Sequence, residues 1–238
     1  MRQAIVVALA LSSAATTHHA SVRPDAPPAR VAINDNRAPA GTLRAGVLTV
    51  DLEARDGEWH PDADSTPGLR VHAFAERGKR ASVPGPLLRV PEGTEIHARV
   101  TNALAAGTLI VHGLATRGSA AGGADTLQIA PRATRDVHFA AGAPGTYYYW
   151  GEVRGVAADS SETRDAELSG AFVIDPRDAP ATARDRVFLI ALWTRGQLVN
   201  GLVGRTTLLR FTINGKAWPS TERLTYTVGD TVRFRFTR

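Results

Sequence analysis

Any chemistry in this 238-residue sequence has to be built from seven histidines and no cysteine. Thiolate nucleophiles, thiolate metal ligands and disulfides are all excluded. His72, His97 and His138 each stand between apolar neighbours in strand-like runs, as in Ile96-His97-Ala98 and Val137-His138-Phe139. Each reads as a solvent-facing residue on the polar register of a strand, with no partner at metal-ligand spacing. The densest stretch is PGTYYYWGE, Pro144 to Glu152, in which Tyr147, Tyr148, Tyr149 and Trp150 precede Glu152. Such a cluster can stack on a phenolic or carbohydrate ligand. Alternating along a strand, it instead fills a core on one face and a rim on the other, and that is the expectation taken forward. The sequence has no GxSxG elbow, P-loop or HExxH motif. The acids of Asp62-Ala63-Asp64-Ser65 lack the remainder of a calcium loop and read as a solvated turn.

The elements that must position these residues are short and alternating. GVLTVDLEARDG alternates Val47, Thr49 and Asp51 against Leu48, Val50 and Leu52. TEIHARVTN sets Ile96, Ala98 and Val100 against Glu95, His97 and Arg99. With Gly and Pro breaks between such runs, the pattern predicts an all-β sandwich or barrel. VIDPRDAPATARDRV carries prolines and charges between apolar strands and reads as a linker between two units. In TVRFRFTR, Val232, Phe234 and Phe236 alternate with Arg233, Arg235 and Thr237, which predicts a half-buried strand. From Asp185 to Arg238 the chain offers about half of the roughly 100 residues such a sandwich takes, so the second unit is expected to be only the start of a domain. Its last strand would then present an edge that a partner must cover.

The formal net charge of +5 rests on 28 basic residues, all arginine except Lys79 and Lys216, and no run of consecutive basic residues concentrates it. Nucleic acid is therefore not an expected partner. Residues 1–20 have a basic start, an apolar run from Ala4 to about Ala15 and small residues after it. They read as a secretory signal peptide, with His18 and His19 in its processing region. Residues 21–45, rich in Pro, Ala and Arg, read as an extended linker. No later run is long enough to span a membrane. The expectation is an exported protein.

Taken in order, VPGPLLRVPEGTEIHARVTNAL, TLIVHGL, LQIAPRATRDVHF, PGTYYYWGE and LSGAFVIDP resemble the N-terminal cupredoxin domain of the multicopper oxidases, the laccase-like enzymes. FTINGKAWPSTERLTYTVGDTVRFRF resembles the start of that family's second domain. The resemblance implies an all-β, cupredoxin-like Greek-key β-sandwich over residues 46–176, a linker over 177–184 and an incomplete second cupredoxin-like domain over 185–238. In the family, two His-x-His pairs, in HWHG and YHSH motifs, serve a trinuclear copper cluster, and a strand's period of two lets both imidazoles of a pair face the metal. Here the first motif reads Ile110-Val111-His112-Gly113, and the second reads Tyr149-Trp150-Gly151-Glu152. Ile110 and Trp150 offer copper no lone pair. The family's blue-copper centre also needs a Cys thiolate, which this sequence lacks.

The resemblance thus implies a chain with most copper ligands lost, in which copper chemistry would depend on a later domain. The partners expected are downstream cupredoxin domains of the same protein, or another subunit covering the second unit's edge. Two readings of the remaining donors stand side by side. His112 and Glu152 hold one divalent metal on adjacent strands, or His112 is hydrogen-bonded near a strand end and Glu152 is a solvated turn acid. Two ligands make a weak site, which favours the second reading. A non-enzymatic cupredoxin-fold module, its metal face closed by Ile110 and Trp150, is the alternative to an oxidase fragment.

Overall fold

The computed structural model describes residues 28–114, 125–156, 164–178, 185–195, 198–199, 202–203 and 208–237. The expected signal peptide with His18 and His19, residues 21–27 of the lead-in and residues 179–184 of the linker lie outside the described residues. The first unit is built of β1 (Ala32–Ile33), β2 (Thr42–Arg44), β3 (Val47–Trp59), β4 (Leu69–Glu76), β5 (Ser82–Val83), β6 (Gly85–Pro91), β7 (Glu95–Asn102), β8 (Thr108–His112), β9 (Thr126–Ile129), β10 (Thr134–Ala140), β11 (Gly145–Arg154) and β12 (Ser169–Asp175). The second holds β13 (Asp185–Arg195), β14 (Leu198–Val199), β15 (Leu202–Val203), β16 (Leu208–Ile213), β17 (Lys216–Ala217) and β18 (Arg233–Thr237). Among the described residues there is no helix, so none is long and apolar enough to cross a membrane.

One sheet runs β1-β5-β4-β3-β7-β10, with β2 also paired to β3, and the other runs β6-β12-β11-β8-β9. Their inner faces make one core. Leu48, Val50, Leu52 and Ala54 of β3 and Ile96, Ala98 and Val100 of β7 meet Leu109 and Val111 of β8, Tyr149 and Val153 of β11, and Phe172 and Ile174 of β12. The alternation read from the sequence is therefore the physical one: Leu48, Val50, Leu52 and Ala54 of β3 and every second residue of β7 are removed from water. Gly170 lies opposite Tyr149 across the β11–β12 ladder, and a Cβ there would come within 2.4 Å of the tyrosine ring. That position accepts no side chain.

Part of the lead-in is more than a linker. Ala32 and Ile33 pair in parallel with Ser82 and Val83 at the sheet edge, and Val31 is buried against Trp59, Val71 and Trp193. Two- and three-residue strands leave no periodicity to read, which is why the sequence showed only an extended segment.

In the second unit β13 lies between β16 and β18, with β17 beyond β16. It packs on the first through polar and apolar contacts. Trp59 donates from Nε1 to the Gly215 carbonyl at 2.8 Å, and its ring meets Trp193 edge-on at 6.3 Å. Asp62 and Asp64 lie in the turn expected for them and Asp64 is largely exposed, but both also reach other segments: Asp62 pairs with Arg210, and Asp64 with Arg30 and Lys216. An ionic cluster closes the other side: Arg89 donates to Asp175 and Asp185, and Arg235 donates to both from β18. This inverts the expectation for the last strand. Arg235 faces inward because two carboxylates neutralise it, while Phe234 and Phe236 remain 46% and 62% exposed.

Candidate metal face and inter-unit cleft

β8 and β11 are antiparallel neighbours in a register that sets Trp150 opposite His112 and Glu152 opposite Ile110. By strand alternation these four residues share the face turned away from the sandwich core, while Leu109, Val111, Tyr149 and Val153 face into it. The four positions singled out from the sequence therefore form one patch.

Within that patch the His112 imidazole lies flat on the Trp150 indole, with ring centroids 3.9 Å apart and planes at 6°. His112 Nε2 is 3.6 Å from Glu152 Oε1, beyond hydrogen-bond range, and is a buried nitrogen with no hydrogen-bond partner among the described residues. Glu152 instead accepts from Arg154 Nη2 at 2.7 Å. Both details correct the sequence reading. Glu152 belongs to strand β11 and is not a turn acid, and His112 Nε2 makes no hydrogen bond among the described residues. The two do meet on one face, as the metal reading required.

The donor chemistry decides what the patch can hold. It offers one imidazole nitrogen and one carboxylate already shared with an arginine; Ile110 and Trp150 add hydrocarbon and an N–H donor. Stable transition-metal sites draw three or four ligands. The face does not fit a multinuclear copper cluster, and no step is derived through one.

Around the patch the surface is hollow. A cleft of about 600 Å³ opens between β11 and β13, lined by Tyr148, Trp150, Glu152, Leu189, Ile190 and Leu192 among others. A second hollow of about 430 Å³ lies past the other side of Trp150, where His112 and Tyr148 meet Thr237 of β18. The aromatic run divides as the core-and-rim reading expects. Tyr149 is fully buried, stacks obliquely on Phe74 at 5.2 Å and donates to the Pro86 carbonyl at 2.6 Å. Burial pushes its phenol well above the usual tyrosine range. Tyr148 and Trp150, on the opposite register, line the cleft.

The remaining histidines depart from the expectation in two ways. His72 is 6% exposed and not solvent-facing: Nδ1 lies 2.5 Å from Asp165 Oδ1, and Nε2 lies 3.4 Å from Asp56. Burial pulls its pKa down, but hydrogen bonds to Asp165 and Asp56 outweigh it, so the pKa sits above the ordinary histidine value. His97 and His138 are surface residues as read, yet they are not isolated. The β7–β10 register sets them directly opposite each other, with Glu95 beside them. The Glu95-x-His97 spacing was visible in the sequence. What brings in His138 is the pairing of two strands some forty residues apart, which no local pattern encodes.

Residues 79–179 match the multicopper oxidase family. This part of the chain is similar to that family in sequence, and its fold is cupredoxin-like. No curated protein matches the chain by sequence. Among solved structures, a blue copper oxidase from Nitrosomonas europaea superposes with a TM-score of 0.54 at 21% identity, covering 79% of this chain and 59% of that one. The multicopper oxidase mgLAC gives 0.53 at 22%, covering 79% and 60%. A further multicopper oxidase gives 0.53 at 23%, covering 79% and 64%. These likenesses establish the fold, an all-β cupredoxin-like architecture, and the chain spans about three-fifths of the length of these structures. The part of the chain that matches the multicopper oxidase family carries Ile110, His112, Trp150 and Glu152 on its candidate metal face.

Proposed function

We propose that this chain is the N-terminal part of an exported multicopper-oxidase-like protein, with most copper ligands lost from its first domain and no oxidase activity of its own. The observation that carries the reading is the β8–β11 patch, where one imidazole is stacked on an indole at a position the family gives to copper-binding histidines. The absence of cysteine supports it, because blue-copper electron transfer runs through a thiolate. Copper redox chemistry would reside in a later domain, and this one would serve as framework and interface. The exposed Phe211, Phe234 and Phe236 of the second unit suit a surface covered by such a domain or by another subunit.

A second reading draws on the cleft. Tyr148 and Trp150 facing Ile190 and Leu192 form an apolar, aromatic-lined space of a size suited to a small ligand, as in a non-enzymatic binding module.

The deciding experiment is to express residues 1–238, load the protein with copper and assay oxidation of a phenol and of cuprous ion. The expected result is no turnover above buffer. Copper-dependent turnover abolished by His112→Ala would overturn the proposal. Export is tested separately, by the mass of the mature protein recovered from outside the cytoplasm: an N-terminus retained at Met1 sinks that part.

A further inference from the structure

Away from the β8–β11 patch, Glu95, His97 and His138 bring one carboxylate oxygen and two imidazole nitrogens to within 4.8 Å of one another on the outer face of the first sheet. We propose that these three residues form a surface binding site for a borderline divalent transition metal ion of the Zn²⁺ or Cu²⁺ class. The proposal does not depend on the reading of His112.

Strand pairing builds the site. His97 and His138 are direct cross-strand partners, and Glu95 lies two residues before His97 on the same face. Directly opposed residues have Cβ atoms about 4.5–5.5 Å apart, a separation from which two imidazoles can converge on one ion. The rings are already in edge contact, with centroids 4.2 Å apart, and His97 Nε2 lies 2.7 Å from Glu95 Oε1. Ligands at roughly 2.0–2.1 Å around one tetrahedral ion lie about 3.4 Å from one another. Closing the widest separation, 4.8 Å, to that span takes side-chain adjustments of about 1.5 Å, which exposed and half-buried side chains on a rigid sheet can make. Two imidazoles and a carboxylate are the donor set of catalytic zinc sites and suit copper equally. Solvent exposure leaves room for water as a further ligand. The nearest cation on this face, Arg99, is paired with Asp136 at 2.8 Å and Asp51 at 3.8 Å, so it does not present an uncompensated positive charge to an incoming ion.

The test is calorimetric titration of the full 238-residue chain with ZnCl₂, comparing the parent with His97→Ala, His138→Ala, Glu95→Gln and His112→Ala. One Zn²⁺ site is expected in the parent and in His112→Ala. Each of the two His→Ala variants should weaken it at least as much as the roughly 10- to 100-fold that loss of a supporting residue costs a metal site. Glu95→Gln keeps the side-chain shape and weakens the site without removing an imidazole, so it reports on coordination even if an alanine variant misfolds. Any Zn²⁺ taken up by His18 and His19 would be common to every variant and would cancel in the comparison. With Cu²⁺ as the probe, electron paramagnetic resonance should show two coupled nitrogens, falling to one in His138→Ala. The proposal is overturned if the parent binds no Zn²⁺, if the three site variants bind it as the parent does, or if only His112→Ala removes the site.

Discussion

The imidazole of His112 lies parallel to the indole of Trp150, 3.9 Å away, directly across the β8–β11 ladder. A ring that would otherwise present a nitrogen to a metal is held by its face against a neighbour, and its Nε2 is left buried without a hydrogen bond among the described residues. Stacking of this kind contributes about 0.5–1.5 kcal/mol beyond area burial. Trp150→Ala is therefore expected to cost about 1–3 kcal/mol, read as a lower urea midpoint at unchanged slope. A loss within error would show that the stack is incidental.

Refilling the patch with imidazoles should not restore an enzyme. The triple variant Ile110→His, Trp150→His, Glu152→His places four imidazoles on one face and is expected to gain copper affinity by metal analysis. It should still give no phenol oxidation above buffer, because no cysteine exists to carry electrons to the site. Turnover in that variant would refute the account.

His72 should make stability depend on pH with a definite sign. Its folded-state pKa is raised by Asp165 and Asp56 against the opposing effect of burial, so the stabilisation is full below the unfolded value of about 6.5 and disappears as pH rises through the folded value. His72→Gln is expected to lower the melting temperature by several degrees at about pH 6 and by less at about pH 9. An equal loss at both would mean that the imidazole acts only through packing.

Glu167 works in the opposite direction. It is buried, Thr212 of β16 donates to it at 3.3 Å, and desolvation pushes its carboxyl up to about 8. The unfolded chain releases this proton near pH 4.5 and the folded chain only near 8, so stability falls as pH rises between those values. Glu167→Gln should raise stability at pH 7, by on the order of 3 kcal/mol at most, and flatten the profile across this window. A variant less stable than the parent at pH 8 would refute this.

The ionic cluster should hold the two units together. The Asp185 side chain is fully buried and is held by Arg89 and Arg235. Arg235→Ala leaves a buried carboxylate short of a partner and is expected to cost about 3–5 kcal/mol. Combining it with Asp185→Asn should cost less than the sum of the two single changes. Additivity in that cycle would show that the pair does not interact.

Much of the fold was legible. Leu48, Val50 and Leu52 of β3, and Ile96, Ala98 and Val100 of β7, could be assigned to a core from their period of two, since a strand sends alternate side chains to opposite faces whatever its neighbours are. The same period split the aromatic run between a core face and a rim, and the structure put Tyr149 on the first and Trp150 on the second. Composition removed thiolate chemistry outright, and the ordered segments carried the family. These are properties of residue type and local spacing, which the sequence determines by itself.

What the tertiary structure decided were pairings between distant strands. That His112 stacks on Trp150, that His97 faces His138, and that His72 is buried between Asp56 and Asp165 all depend on which strands adjoin and in what register. The last strand shows why local reading fails there. Phe234 and Phe236 carry the apolar pattern, yet Arg235 is the residue turned inward, because Asp175 and Asp185 from other segments wait on that side. A strand's alternation fixes that two faces differ; only the partners across the interface fix which face is covered.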